Sequence, residues 1–358
     1  MIDEMFWRGK KVLVTGHTGF KGSWLSIWLN EMGAEVIGYS LDPYSERDNF
    51  VLSNLSEKII DIRGDVRDFE KLQGVFRKYK PEIVFHLAAQ PLVRLSYEIP
   101  VETYQVNVMG SIHVMECVRA SSFCHSAIII TTDKCYENRE QVWGYRESEA
   151  MGGFDPYSSS KGATEIAISS WRRSFFNSKD FHSHGKVLAS VRAGNVIGGG
   201  DWAQDRIIPD CIRALEKNKT IEIRSPQSTR PWEHVLEPLS GYLLLAEKMQ
   251  VNPKKYGSGW NFGPTLSSIL PVWEIAEKVV EFYGRGKLKD VSDQVAVHEA
   301  KLLSLDISKA KFELGWMPTL NIDETIKMTI EWYKQYLSED VYRICREQIA
   351  KFMNKDKK

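Results

Sequence analysis

One stretch near the start of the chain, K-V-L-V-T-G-H-T-G-F-K-G-S-W-L from Lys11 to Leu25, restricts the possible folds more than any other. Val12, Leu13 and Val14 form a short apolar run that stops at Thr15-Gly16, and an amphipathic pattern begins beyond Gly22. The order is therefore strand, glycine turn, helix. Gly16, Gly19 and Gly22 lack side chains, so the turn can tighten and the N–H groups at the helix start can approach a pyrophosphate, where the helix dipole also favours negative charge. The spacing is GxxGxxG rather than GxGxxG. Glycine turns arise for many reasons, and it is the flanking strand and helix that point to a phosphate cradle for a dinucleotide.

The chain beyond it keeps alternating strand and helix. Gly33 ends the first helix, and E-V-I-G-Y (Glu35 to Tyr39) reads as a second strand. Ser40 and Asp42 then stand where a dinucleotide fold holds a ribose. A carboxylate there accepts both ribose hydroxyls and repels a 2′-phosphate, whereas a serine decides nothing. Asp42 either fills that role or ends the strand; NAD is favoured over NADP because Asp42 lies closer than any arginine. Asp65, at the end of a strand over 59–66, either accepts from an adenine amino group or caps the next helix.

A fourth strand follows at 83–90, with Ala88 and Ala89 small enough for a ligand to lie against the backbone at the carboxyl edge of the sheet. A helix over 101–121 contains Asn107, and a strand over 126–132 runs into Thr132-Asp133-Lys134. After Gly152-Gly153, Asp155-Pro156 turns the chain into a helix reaching about 176. The polar segment 176–185, with His182 and His184, reads as a solvated loop, and K-V-L-A-S-V-R-A-G-N-V (186–196) as another strand. These units predict a doubly wound parallel α/β sheet. Beyond 196 the segments are shorter, irregular and rich in Trp and Arg, as suits a smaller lobe, and the final K-F-M-N-K-D-K-K reads as a frayed end.

Composition excludes more than it identifies. Lys+Arg and Asp+Glu balance at 47 each, which gives no global attraction to nucleic acid or an anionic membrane. The five cysteines (Cys117, Cys124, Cys135, Cys211, Cys345) are odd in number and form no CxxC, arguing against a disulfide framework and a zinc site. No apolar run approaches the roughly 18 residues of a membrane span, and the N-terminus has no signal-like core. The expectation is a soluble, cytoplasmic protein without metal.

Two clusters could do chemistry. Tyr157 and Lys161 are four apart at a helix start and share a face. An ammonium beside a tyrosine, with the positive ring of an oxidised nicotinamide, favours the phenolate that a base needs. Thr132-Asp133-Lys134 emerges at the rim that carries the cofactor, offering a hydroxyl for a substrate hydroxyl and two charged groups as acid and base; the alternative is a capping threonine and a solvated turn. In the second lobe Asn195, Arg206, Arg224, Arg230, Trp232 and His234 are candidates for a diphosphate and a base.

Together T-G-H-T-G-F-K-G, H-L-A-A-Q, T-T-D-K-C-Y, Y-S-S-S-K, A-G-N-V-I-G-G-G-D-W and R-P-W-E-H-V resemble the extended short-chain dehydrogenase/reductase family, in its nucleotide-sugar branch. T-D-K-C-Y-E-N, D-R-I-I-P-D and R-P-W-E-H-V-L-E-P are similar to the 4,6-dehydratases of that branch, and among them to those acting on CDP-D-glucose. The resemblance implies a Rossmann-type domain over 1–195 and a smaller mixed α/β lobe over 196–358 that binds the nucleotide sugar, with about 232–262 returning to the first domain. It implies NAD held by Gly16, Thr18, Gly19, Phe20, Lys21, Gly22, Ser40, Asp42, Asp65, Val66, Leu87, Ala88, Ala89, Gln90, Asn107, Tyr157 and Lys161. It also implies catalysis by Thr132, Asp133, Lys134, Tyr157 and Lys161, and a place in deoxysugar synthesis for surface polysaccharides. Two copies would pair through the 101–121 and 157–176 helices into a homodimer, with a tetramer as the alternative. Many such dehydratases carry Asp-Glu after the threonine. Here it is Asp133-Lys134, so Lys134 is either the C5 base or a stabiliser of the enolate. A 4-epimerase, a dehydratase for another nucleotide sugar, and a non-catalytic NAD-binding protein are the rival readings.

Overall fold

The computed structural model describes residues 2–292 and 302–356. Twelve strands occur in chain order among them: β1 (Lys11–Thr15), β2 (Glu35–Ser40), β3 (Ile60–Arg63), β4 (Ile83–His86), β5 (Ser126–Ile130), β6 (Val187–Ala193), β7 (Asn195–Ile197), β8 (Ile221–Ile223), β9 (Thr229–His234), β10 (Gly259–Phe262), β11 (Ile269–Pro271) and β12 (Leu288–Asp290). Seven form one sheet in the order β10-β6-β5-β4-β1-β2-β3, every pairing parallel. The expected doubly wound sheet is borne out.

Its strands are apolar on both faces because both are covered, as parallel sheets require. Val12, Val14, Phe85, Ile128 and Val191 face a core shared with the helices Phe20–Glu31 and Leu236–Val251; Leu13, Ile37, Val84, Ile129 and Leu188 face a second core under the helices Phe69–Tyr79, Gly110–Ala120 and Pro156–Ser174. The order reverses between β1 and β4, so the chain leaves a crevice at the carboxyl ends of these strands, where open α/β sheets bind ligands.

Beyond β6 the chain builds a small sheet, β11-β9-β7, and a strand pair, β12-β8, but it does not stay apart. Strand β10 returns to the main sheet beside β6. The C-terminal helix Val341–Asp356 also crosses back, setting Phe352 edge-on against Trp28. That corrects the frayed end expected for 351–358: Phe352 is buried, and the backbone is helical to Asp356. Lys357 and Lys358 lie outside the described residues. The loop expected over 176–185 is likewise partly ordered, with a short helix Phe181–His184 whose His184 ring bonds the Asn177 carbonyl.

Candidate active site

The glycine turn closes on itself by packing. Gly16 sits at φ +77°, where only glycine is unstrained, and a Cβ on it would come within 2.7 Å of the Ala88 nitrogen. On Gly22 a Cβ would meet the Gly16 carbonyl oxygen at 2.0 Å. The helix Phe20–Glu31 starts at Gly19 with no side chain capping it, so its first N–H groups face the crevice. This is a cradle that fits a pyrophosphate.

At the far end of the cradle, Thr18 and Ser40 hydroxyls bond each other at 2.8 Å, and Thr18 also donates to the Leu41 carbonyl. Asp42 is exposed, and Arg63 lies 3.3 Å from it. Asp42 therefore has an arginine beside it. Arg63 is however shared between Asp42 and Asp61, so the neighbourhood holds two carboxylates to one guanidinium and still disfavours a 2′-phosphate. Asp65 is gripped by Arg67 through side chain and backbone, which holds its carboxyl below the usual range. It caps no helix: Asp68 does, accepting from the Lys71 nitrogen. Val66 is buried against Gly110.

Leu87, Ala88, Ala89 and Gln90 leave β4 along the crevice floor. Gln90 exchanges two bonds with Asn107, whose amide also donates to Ser160. Asn107 lies within a π-turn, Gln105–Met109, a distortion frequent at functional sites. Its partners make it a brace between the crevice floor and the helix that carries Tyr157.

That helix, Pro156–Ser174, begins where the sequence places it because Asp155 caps it, accepting from the Ser158 nitrogen at 2.9 Å, and Pro156 fits its first turn. Tyr157 is buried and hydrogen-bonded to Thr132. Burial pushes its phenol up to about 12, with Thr132 and Arg206 acting against the rise. Lys161 donates to the Ile130 carbonyl at 3.1 Å, and burial brings its amine down to about 8. The groups that oppose desolvation of the phenolate are thus Thr132 and Arg206 rather than the expected Lys161.

Thr132 caps the turn Asp133–Cys135, and its hydroxyl donates to Asp133 Oδ1 at 3.0 Å. Asp133 is buried with Oδ2 unpartnered. Burial raises its carboxyl and exceeds the opposing influence of Lys134, Thr132 and Arg230, so the side chain is suited to carrying a proton. Lys134 is partly buried beside it.

Of the second-lobe candidates, Arg206 faces Tyr157 electrostatically and is held by Asp201 at 2.8 Å; Arg230 is buried near Asp133. Asn195 is half-buried on β7, and Arg224 is bound by Asp205. Trp232 and His234 are turned into the core. Trp232 donates to the Leu270 carbonyl; His234 packs edge-on against Trp24, and burial lowers its ring to about 3, so it is neutral.

Sequence reasoning overlooked a buried network behind Lys161. Glu165 accepts from Thr131, Ser190 and Arg192 and ties the helix to β5 and β6. Its spacing, four residues after Lys161, was a usable signal. Also overlooked was Glu233, buried on β9 with Oε1 accepting from the Gly194 nitrogen at 3.2 Å.

Residues 13–329 match the family described as GDP-mannose 4,6 dehydratase. The chain belongs to that family. Within it, the chain is 51% identical over 355 residues to the CDP-glucose 4,6-dehydratase of Salmonella typhimurium strain LT2, covering 99% of each. It is 27% identical to the human dTDP-D-glucose 4,6-dehydratase, over 91% of this chain and 90% of the relative. The fold is shared with the dTDP-glucose 4,6-dehydratase of Streptomyces venezuelae, solved with NAD, at a TM-score of 0.76, covering 92% of this chain and 99% of that one at 22% identity.

Proposed function

We propose that the chain is an NAD-dependent hydro-lyase that converts CDP-D-glucose to CDP-4-keto-6-deoxy-D-glucose and water. The observation that carries this reading is the full-length 51% identity to a CDP-glucose 4,6-dehydratase, joined to a buried Asp133 beside Tyr157 whose carboxyl burial raises above the usual range. The glycine cradle, with Asp42 and Tyr157-Lys161, is the set that would hold NAD. Bound there, NAD would supply a reversible hydride acceptor for the C4 oxidation and the C6 reduction, and its positive ring would favour the Tyr157 phenolate.

Tyr157 accepts the C4 hydroxyl proton while Thr132 orients that hydroxyl. The C4 ketone acidifies C5, and Lys134 either takes the C5 proton as a neutral amine or stabilises the enolate as a cation. Asp133 gives its proton to the C6 hydroxyl, which leaves as water. Asn195, Arg206, Arg224 and Arg230 are the candidates for the nucleotide; Trp232 and His234 support them from the core. A 4-epimerase would use Tyr157 and Lys161 without needing an acid at Asp133. Incubation with CDP-D-glucose separates the two: loss of one water in the product supports the dehydratase, and an isomer of unchanged mass refutes it. Parallel assays with dTDP-, UDP- and GDP-glucose test the base.

We further infer a homodimer. Val101, Met109 and Ile166 are exposed on the helices Pro100–Tyr104 and Pro156–Ser174 and the π-turn between them and Gly110–Ala120, as a two-fold four-helix interface requires. All five cysteines are unpaired, which suits a reducing cytoplasm; the role that we propose there is the supply of deoxysugars for surface polysaccharides.

A further inference from the structure

The turn that carries Thr132, Asp133 and Lys134 is held at both of its ends by one buried ion pair. Thr131, just before the turn, donates from its hydroxyl to Glu165 Oε1 at 2.5 Å. Tyr136, just after it, accepts at its hydroxyl from Arg192 Nη1 at 2.5 Å. Glu165 and Arg192 close the ring: Arg192 Nε donates to Oε1 at 2.9 Å and Nη2 to Oε2 at 2.8 Å. The segments so joined, the turn after β5, strand β6 and the helix Pro156–Ser174, are separate in sequence, and all four side chains are buried.

Further partners fix the orientation of each member. Glu165 Oε2 also accepts from Ser190, and Tyr136 gives its own proton to Asn261 Oδ1 at 2.8 Å. The Asn261 amide donates in turn to the Tyr145 carbonyl at 2.8 Å, and the Tyr136 ring stacks on the Tyr145 ring at 5.3 Å. A tyrosine hydroxyl has one proton to donate, so with Asn261 receiving it the oxygen is left to accept from Arg192. Burial keeps the Tyr136 phenol protonated; against burial, Arg192 holds the Glu165 carboxyl at about 2. Neither group changes charge near neutral pH, so the network serves geometry rather than proton transfer.

The helix supplies the other half of the relationship. Glu165 follows Lys161 by four residues and Tyr157 by eight, so the three share one helix face. Arginine suits the junction because its planar fork reaches Glu165 with two nitrogens and Tyr136 with the third, which a lysine ammonium does not reproduce. The backbone repeats the tie from the other side: the Gly152 nitrogen donates to the Cys135 carbonyl at 2.8 Å, three residues ahead of the Asp155 cap.

We propose that Thr131, Tyr136, Glu165 and Arg192 are positioning residues that clamp the Thr132-Asp133-Lys134 turn against the helix of Tyr157 and Lys161, keeping the groups for elimination in register with the pair for C4 oxidation. The inference deepens the dehydratase reading and rests on it for its purpose. Two half-reactions at neighbouring carbons of one bound sugar draw on two separate segments: oxidation at C4 on the helix, elimination across C5 and C6 on the turn. A turn displaced by about 1 Å lowers elimination on the order of 10²-fold. Hydride removal at C4, which depends on the helix, is largely spared.

Tyr136→Phe tests the clamp, since it keeps the ring on Tyr145 and removes only the hydroxyl. On rapid mixing with CDP-D-glucose, reduced nicotinamide is expected to form within about threefold of the wild-type rate and then to accumulate, because keto-deoxysugar formation falls by about 10–100-fold. KM is expected to stay within about threefold, so the loss lies in kcat. Arg192→Lys, which preserves the charge opposite Glu165 but not the fork, is expected to show the same accumulation. In the unliganded protein, amide hydrogen exchange over 131–137 is expected to quicken by at least about tenfold in both variants, with the far-ultraviolet circular dichroism unchanged. Exchange needs no substrate, so it decides the clamp even if the wild-type chain leaves CDP-D-glucose unchanged, an outcome that refutes the dehydratase reading alone. Equal loss of both half-reactions, or exchange at the wild-type rate in both variants, would overturn the proposal.

Discussion

Glu165 and Arg192 meet at 2.8 Å with both side chains almost wholly shielded from water, binding the helix that carries Tyr157 and Lys161 to strand β6. Burial alone would raise the Glu165 carboxyl, but the charge and hydrogen bonds of Arg192 reverse this and hold it at about 2. Glu165→Gln leaves the guanidinium buried without its counter-charge. The expected loss is about 3–5 kcal/mol, measured by urea unfolding, since breaking a buried pair costs far more than replacing both partners. A loss below about 1 kcal/mol would show that Tyr136, which also bonds Arg192, suffices.

At the cradle, Gly22→Ala places a methyl group 2.0 Å from the Gly16 carbonyl oxygen, and backbone cannot yield as a flexible side chain would. Retention of NAD is expected to fall by at least about tenfold, roughly 1.4 kcal/mol, with the far-ultraviolet circular dichroism preserved. Cofactor release after gel filtration measures it; full retention would mean that the turn does not hold the pyrophosphate.

Asp133→Asn keeps the shape of the side chain and removes the proton that it donates. Oxidation at C4 is expected to continue, so reduced cofactor accumulates, while keto-deoxysugar formation falls by about 10²–10⁴-fold. Rapid mixing with CDP-D-glucose, followed by absorbance of the reduced nicotinamide, separates the two steps. Unchanged turnover would remove Asp133 from the acid role.

For Lys134→Met the readout is hydrogen exchange at C5. Removing the amine is expected to abolish incorporation of solvent deuterium there while C4 oxidation persists. If deuterium enters C5 at the wild-type rate, Lys134 acts on the enolate only through its charge.

Glu237 sets a pH dependence of stability. Burial pushes its carboxyl up to about 8, against 4.5 for an ordinary glutamate. The folded chain therefore keeps a proton that the unfolded chain has released, and stability falls as pH rises through that window. Glu247, raised to about 7 where it receives Trp7 and the Asp3 nitrogen, adds a second contribution of the same sign. In Glu237→Gln the carbonyl still accepts from Thr319 and Leu320, and the slope of unfolding free energy against pH is expected to flatten, leaving the Glu247 part. An unchanged slope would exclude Glu237 as its source.

Much of this molecule was determined locally. The Gly16-Gly19-Gly22 turn, the Asp155-Pro156 helix start and the Tyr157-Lys161 pair depend on short-range geometry: a residue without a side chain, a cap, and a four-residue step along one helix face. Their meaning is therefore present in the order of residues. The doubly wound parallel sheet followed too, because βαβ units leave few arrangements. Other features depend on which distant segments exclude water from a group, and no local pattern records that. Trp232 and His234 read as ligands for a base but lie in the core, since neighbours from residues 24 and 270 cover them. The balance at Asp133 was open in the sequence, where adjacent Lys134 argues for a charged carboxylate. Tertiary burial raises that carboxyl against the pull of Lys134, a direction that no run of neighbouring residues records.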